Sequence, residues 1–400
     1  SPGPPSNLPS HSCILPAPGR FRRLTPDMPP PSASSTLPRF VFMQWYPIKL
    51  TAHVRSYAFG ERRIPDFLGK AGLPDGVVAE TWEISDYADT TGTVTNGSLA
   101  GKTLHDVTMS WPRELVGKGW TGPHFPLLAK FLDAAHMLPV HLHADDVTAA
   151  RIYGAPNGKS EAWHILWCEP DASVLAGLKG NPSEAELRAA FRDEDYDRVM
   201  HRYPIAAGDT VFVPGGIIHS FGPDTLIFEI QQTSDLAQTV MPTDLYGHRH
   251  SDEVWDANIT ATLAELKNDY LPKPNRGLGI TLPQGRIRFG AVCEHFALER
   301  WQLDEAVTHD KEGRRCALLS NVGAPVTLEF ADGTETLAAG ESYILPAALG
   351  PVRIVPTSED DGADLIYCYV PDRQVDIIEP LRDAGFSDDE IATLGYVFPD

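Results

Sequence analysis

Between Met43 and about Tyr246 the chain alternates short apolar runs with Gly, Pro and Asp punctuation: VAETWEIS, FPLLAKFLDA, LPVHLHA, EAWHILW, DTVFVPGG and TLIFEIQQ. Several short strands with turn signals between them predict an antiparallel barrel or jelly roll. Helical spacing interrupts this pattern at about 183–201, where Ser183 is a candidate N-cap. It returns after Ser251, where Trp255, Ile259, Leu263 and Leu266 share one face. Strand-like runs resume over 277–373 with a partial internal repeat: Gly340 precedes Pro346 by the same interval that separates Gly208 from Pro214. Near the end, Ser387 and Glu390 stand in capping-box spacing and predict a short helix. Residues 1–42 hold 11 prolines with many serines and no periodicity. Such a segment buries too little apolar surface to order itself.

The pattern therefore predicts an all-β-dominated chain of two barrels with a few connecting helices. Its parts are a disordered extension (1–42), a first barrel with a helical insert (43–250), a helical connector (251–276), a degenerate second barrel (277–373) and a helical tail (374–400).

Composition narrows the function classes. With 54 acidic against 33 basic residues the chain carries a net charge of −21, which argues against nucleic acid or an anionic membrane as a partner. No apolar run approaches the roughly 18–20 residues that a spanning helix needs. The five cysteines form no closely spaced pair, so a reducing cytoplasm fits better than a disulfide framework. Arg20, Arg22 and Arg23 give the N-terminal segment a faint transit-peptide character, without the apolar core of a secretory signal. A soluble protein handling a small molecule, with scope for homo-oligomers, is the expectation.

The candidate chemistry lies in the first barrel. His141 and His143 flank Leu142, and a strand's period of two puts both imidazoles on one face. Glu161 opens the next strand-like run and adds a hard oxygen, and His219 follows the VPGG turn. Imidazoles with one carboxylate suit Zn²⁺, Mn²⁺, Fe²⁺, Co²⁺ or Ni²⁺, without choosing among them. HxH, a Glu 18 residues on and G-x5-P-x-G-x2-H together resemble the two-part cupin signature. In the second repeat Pro351 stands where His219 would fall, and only His295 and His309 occur past residue 250, so that barrel is expected to hold no metal. His124, His136 and His164 read as structural.

The ordered segments YPIKL, ETWEIS, FPLLAKFLDA, HLHADD, GKSEAW, VPGGIIHSFG and EIQQTSD resemble those of the type I mannose-6-phosphate isomerases, particularly the short bacterial form. The resemblance covers about 44–240. It implies a cupin fold, a zinc ion, and interconversion of an aldose and a ketose phosphate by proton transfer between C1 and C2 through an enediolate. It carries the ligand roles to His141, His143, Glu161 and His219. Two positions depart from the family. His141 stands where Gln is usual, and Thr239 stands ten residues after Glu229, where the family has a catalytic arginine. Arg249 is the expected substitute, and the loss opens the alternative of a modified or unphosphorylated sugar.

For the proton transfer the candidates are Glu229 and Lys159, the latter polarising substrate if neighbouring cations or the metal depress its pKa. Lys130, inside an apolar run, needs an anion: either a substrate phosphate or a carboxylate such as Asp133. Trp82 and Glu83 either line the pocket or form a core Trp with a paired Glu. Ser234 and Asp235 either bind substrate or shape their turn. Two other functions fit the same residues: a cupin oxidising its substrate with iron or manganese, and a sugar-binding protein without turnover.

Overall fold

The apolar runs form four antiparallel sheets in the computed structural model, which describes residues 43–310, 313–358 and 362–399. The segment expected to be disordered, 1–42, lies outside the described residues. Six strands make the first sheet, in the order His53–Arg55, Glu80–Ile84, Leu127–Ala134, Thr225–Gln232, Glu161–Cys168 and Thr210–Val213. Facing it is a five-stranded sheet ordered Gln238–Thr239, His141–Leu142, His219–Phe221, Ser173–Leu178 and Met200–Pro204. Leu132, Trp163, Ile165, Val211 and Ile227 of the first sheet interlock with Val174 and Phe221 of the second, burying one continuous apolar layer.

The outer face of the five-stranded sheet is covered by two helices. Leu187 and Phe191 of Glu184–Arg192 pack with Trp255 and Ile259 of Asp252–Glu265 against Leu142 and Leu175. Ser183 caps the first helix as expected, in a full capping box with Glu186, and Ser251 caps the second. The first helix stops well short of residue 201: Asp193 caps it, Glu194 turns with φ of 54°, and Met200–Pro204 is a strand. The second does more than connect, since Trp255 Nε1 donates to the Val240 carbonyl (2.7 Å) and fixes the chain just beyond Thr239.

A seven-stranded and a four-stranded sheet, mainly from residues 278–369, pack around a third core. Ile377, Leu381, Ile391 and Leu394 of the tail close that core, with the Ser387 capping box in place. One element crosses the division expected from the sequence: Ile48–Lys49 pairs with Ser342–Leu345 at the edge of the seven-stranded sheet. The two halves also meet through His164, whose Nδ1 lies 2.9 Å from Thr210 Oγ1 and whose Nε2 faces Arg300 (3.2 Å). His164 is thus a packing residue, as its sequence context suggests. Among the described residues no helix is long and apolar enough to cross a membrane.

The third core buries Glu299, which accepts hydrogen bonds from Trp301 Nε1 (2.7 Å) and the Tyr369 hydroxyl (2.5 Å). Burial lifts its carboxyl from the usual range to about 7. A folded-state pKa above the unfolded one favours the folded state at low pH, and the advantage is lost as pH rises through about 7. Glu299→Gln keeps an acceptor for Trp301 and removes the titration. In urea unfolding at pH 5 and pH 8 the variant should lose about 2–3 kcal/mol less stability across that interval than the parent. Equal losses would show that Glu299 does not ionise with this linkage.

Candidate metal centre

His141, His143 and His219 reach one point from two neighbouring strands, since His219 pairs directly with His141 across the five-stranded sheet. The strand carrying His141 is shorter than its sequence implies and ends at Leu142, yet the His141 and His143 rings still converge, 4.7 Å apart. Each Nδ1 is held by a backbone carbonyl: His141 by Pro139 (2.6 Å), His143 by Leu236 (2.9 Å) and His219 by Ile217 (2.8 Å). A carbonyl only accepts, so each Nδ1 carries the proton and each Nε2 turns a lone pair inward.

Those lone pairs face further acceptors. His219 Nε2 is 3.2 Å from His141 Nε2 and 3.1 Å from Glu161 Oε1, and His143 Nε2 is 3.3 Å from Glu161 Oε2. His143 Nε2 and Glu161 Oε2 are buried without a hydrogen-bond partner. Protonating the rings would relieve the repulsion, but burial holds His141 well below the usual histidine range, with His219 and His143 adding to it. Burial first, and then Lys159, lowers His143 to about 4. Burial opposes ionisation of Glu161 too, yet Lys159 and His143 outweigh it and hold the carboxyl well below its usual range. Three converging imidazoles and a carboxylate sharing buried space fit a divalent cation. The three histidines are the only such cluster among the described residues.

His141, His143 and Glu161 lie on the wall of a cavity of about 370 Å³, with His219 buried behind them. The inner face of the six-stranded sheet supplies its charged floor, because Trp82, Lys130, Glu229 and Trp163 stand in one cross-strand row. Lys130 is buried 3.5 Å from Glu229 Oε1, 3.9 Å from Glu80 and Asp235, and 3.9 Å above the Trp82 ring. Lys159 lies 3.3 Å from Glu161 Oε2, 3.7 Å from Asp235 and 3.9 Å from Glu229. Burial disfavours its charge, but these carboxylates prevail and raise its pKa above the usual lysine range. Lys159 is charged here, and the depression expected from neighbouring cations is not seen because carboxylates surround it. Burial, and then Glu161, lifts Glu229 to about 7 against the pull of both lysines, and its Oε1 has no hydrogen-bond partner.

The open alternatives in the sequence now divide. Trp82 lines the cavity, whereas Glu83 pairs with Lys70 (2.8 Å) away from it. Asp133 is taken by Arg63 (3.1 Å), leaving Lys130 to Glu80, Glu229 and Asp235. Asp235 lines the cavity, while Ser234 shapes the turn: its carbonyl accepts from Gln231 Nε2 (2.5 Å). Arg249 does not take the place vacated at Thr239. Its guanidinium sits over Trp255, 5.9 Å from the ring centre, and its neighbour His250 lines the cavity instead. Sequence reasoning missed Glu80, Tyr57, Asp244, His250 and Asn258 on the wall. A signal existed for Glu80: of four Glu-x-Trp motifs, those at 80–82, 161–163 and 299–301 lie on strands and each indole donates to its glutamate (2.7, 2.9 and 2.7 Å), whereas the helical one at 253–255 sends its indole to Val240.

Comparison with known proteins bears on this cavity. A model of the phosphomannose isomerase type I catalytic domain matches residues 48–164. The Bacillus subtilis (strain 168) protein named Probable mannose-6-phosphate isomerase GmuF is 28% identical over 318 residues, covering 78% of this chain and 98% of that one. A mannose-6-phosphate isomerase of Streptococcus mutans is 32% identical over 198 residues, 50% of this chain and 61% of that one. The crystal structure of the mannose 6-phosphate isomerase from Bacillus subtilis superposes with a TM-score of 0.71 at 25% identity, covering 81% of this chain and 99% of that one. A zinc-bound mannose 6-phosphate isomerase shares the fold at 14% identity and a TM-score of 0.62.

Proposed function

We propose that this aldose–ketose isomerase, similar to the type I phosphomannose isomerases over its catalytic half, interconverts mannose 6-phosphate and fructose 6-phosphate with one divalent ion, zinc by analogy with its relatives, held by His141, His143, Glu161 and His219. The observation that carries this reading is the convergence of three imidazole lone pairs and a carboxylate beside a buried acid with a free oxygen. When bound, a divalent ion supplies Lewis acidity to the substrate's carbonyl and neighbouring hydroxyl.

The proton transfer falls to Glu229. As a carboxylate it takes the hydrogen from C2 of the open-chain aldose, and the C–H electron pair forms the C1–C2 double bond of an enediolate. As a carboxylic acid, after exchanging its proton with solvent in a share of turnovers, it delivers a proton to C1, while the O2 hydroxyl proton moves to O1 and C2 becomes the ketone carbon. A carboxyl ionising near 7 serves both directions. Lys159, always charged, donates to the oxygen on which negative charge develops and needs no proton loss to do so. Lys130 and Asp235 hold Glu229 and Lys159 in register.

The departure at Thr239 supports a second reading, a modified or unphosphorylated sugar, because among the described residues no arginine lines the cavity. Both readings predict deuterium at C1 or C2 when sugar and zinc-loaded enzyme are kept in D2O and followed by NMR. Exchange with mannose 6-phosphate favours the first reading, and exchange with free hexoses alone favours the second. No exchange and no product with any hexose or hexose 6-phosphate would overturn the isomerase mechanism.

A further inference from the structure

The lysines of the cavity are committed to carboxylates, so a phosphate entering it needs another cation. Arg55 ends the edge strand His53–Arg55 and pairs in register with Glu80, which pairs in turn with Leu132. Residues in one cross-strand row share a face, so Arg55 stands on the same face as Glu80 and Leu132, both cavity residues. Its guanidinium lies 5.5 Å from the centre of the ring of Trp82, a lining residue, and so stands beside the cavity and not in its lining. Two residues further on, Tyr57 lines the cavity.

Arg55 has no carboxylate within salt-bridge distance among the described residues, and its Nε is buried without a hydrogen-bond partner. A half-buried guanidinium with an orphaned N–H beside an acid-rich cavity is a costly arrangement unless something anionic completes it. The planar fork of arginine matches a phosphate's oxygens, and stacking on an indole fixes its plane. We propose that Arg55 binds the phosphate of the substrate and is the residue by which this chain selects phosphorylated sugars, in place of the arginine absent at Thr239. The inference rests on the first reading above and deepens it by naming the group that recognises the anionic end. Glu80, opposite Arg55 and hydrogen-bonded to Trp82 Nε1 (2.7 Å), keeps the indole and hence the guanidinium in place.

Two measurements on the zinc-loaded full chain test this. In the first, KM and kcat are compared for mannose 6-phosphate and mannose with the parent, Arg55→Lys and Arg55→Met. Arg55→Met should raise KM for the phosphate at least about 30-fold with kcat within threefold, Arg55→Lys should fall between, and kcat/KM for mannose should change less than threefold. Equal losses for both sugars, or no change for either, would overturn the proposal. In the second, calorimetry follows mannitol 6-phosphate, which has no carbonyl to isomerise. Binding that weakens in Arg55→Met sustains the assignment even if neither sugar turns over, in which case the isomerase mechanism alone falls. Equal binding by parent and variant would place the phosphate elsewhere.

Discussion

Glu161→Gln should leave a folded chain that no longer retains its metal, and turnover should fall by about three orders of magnitude, the scale of a lost Lewis acid worth several kcal/mol. The substitution is nearly isosteric, and the amide oxygen still accepts from Trp163 Nε1, which donates to Glu161 Oε1 over 2.9 Å. What disappears is the one negative charge among the four converging groups, together with the partner that faces His143 and His219 at 3.3 and 3.1 Å. His219→Ala should have the same consequence by a different route, removing the imidazole that faces both His141 and Glu161. Metal analysis after dialysis, with circular dichroism as a check on folding, reads the outcome. Full metal retention by both folded variants would show that the ion binds elsewhere.

The second large effect separates proton transfer from metal binding. Glu229→Gln should lower kcat by about 10²–10⁴-fold, the usual contribution of a positioned acid–base group, while the metal content stays that of the parent. Glu229 lies on the neighbouring strand to Glu161, its free Oε1 3.5 Å from Lys130 and 3.9 Å from Lys159. Deuterium incorporation in D2O should fall in step with kcat. A variant within about threefold of the parent would assign the proton transfer to another group.

The sequence carried the metal constellation because its spacing is local. HxH puts two rings on one short strand, and the run beginning at Glu161 pairs with Thr225–Gln232, where Gln231 lies opposite Glu161 and Glu229 two residues along. The strands of the first half were legible for the same reason, their apolar runs being bounded by turn residues. The far wall was not. Tyr57, Asp244, His250 and Asn258 come from three segments whose approach depends on how loops fold over the sheets. Arg249 misled because adjacency in sequence was taken for reach: the helix capped by Ser251 presents Trp255 to its guanidinium, and the turn brings His250 to the cavity. The surroundings of Lys159 were not legible because no sequence pattern announces that Glu161, Glu229 and Asp235 gather around it. The strand Ile48–Lys49 escaped for a related reason, since its partner Ser342–Leu345 lies nearly 300 residues away.

The central claim, that isomerisation depends on one ion at the histidine cluster, is tested most directly by adding zinc stepwise to chelator-treated protein and following deuterium entry into mannose 6-phosphate by NMR. The expected result is no exchange without metal and a linear rise that saturates at one equivalent per chain. Exchange at the full rate in metal-free protein would contradict it.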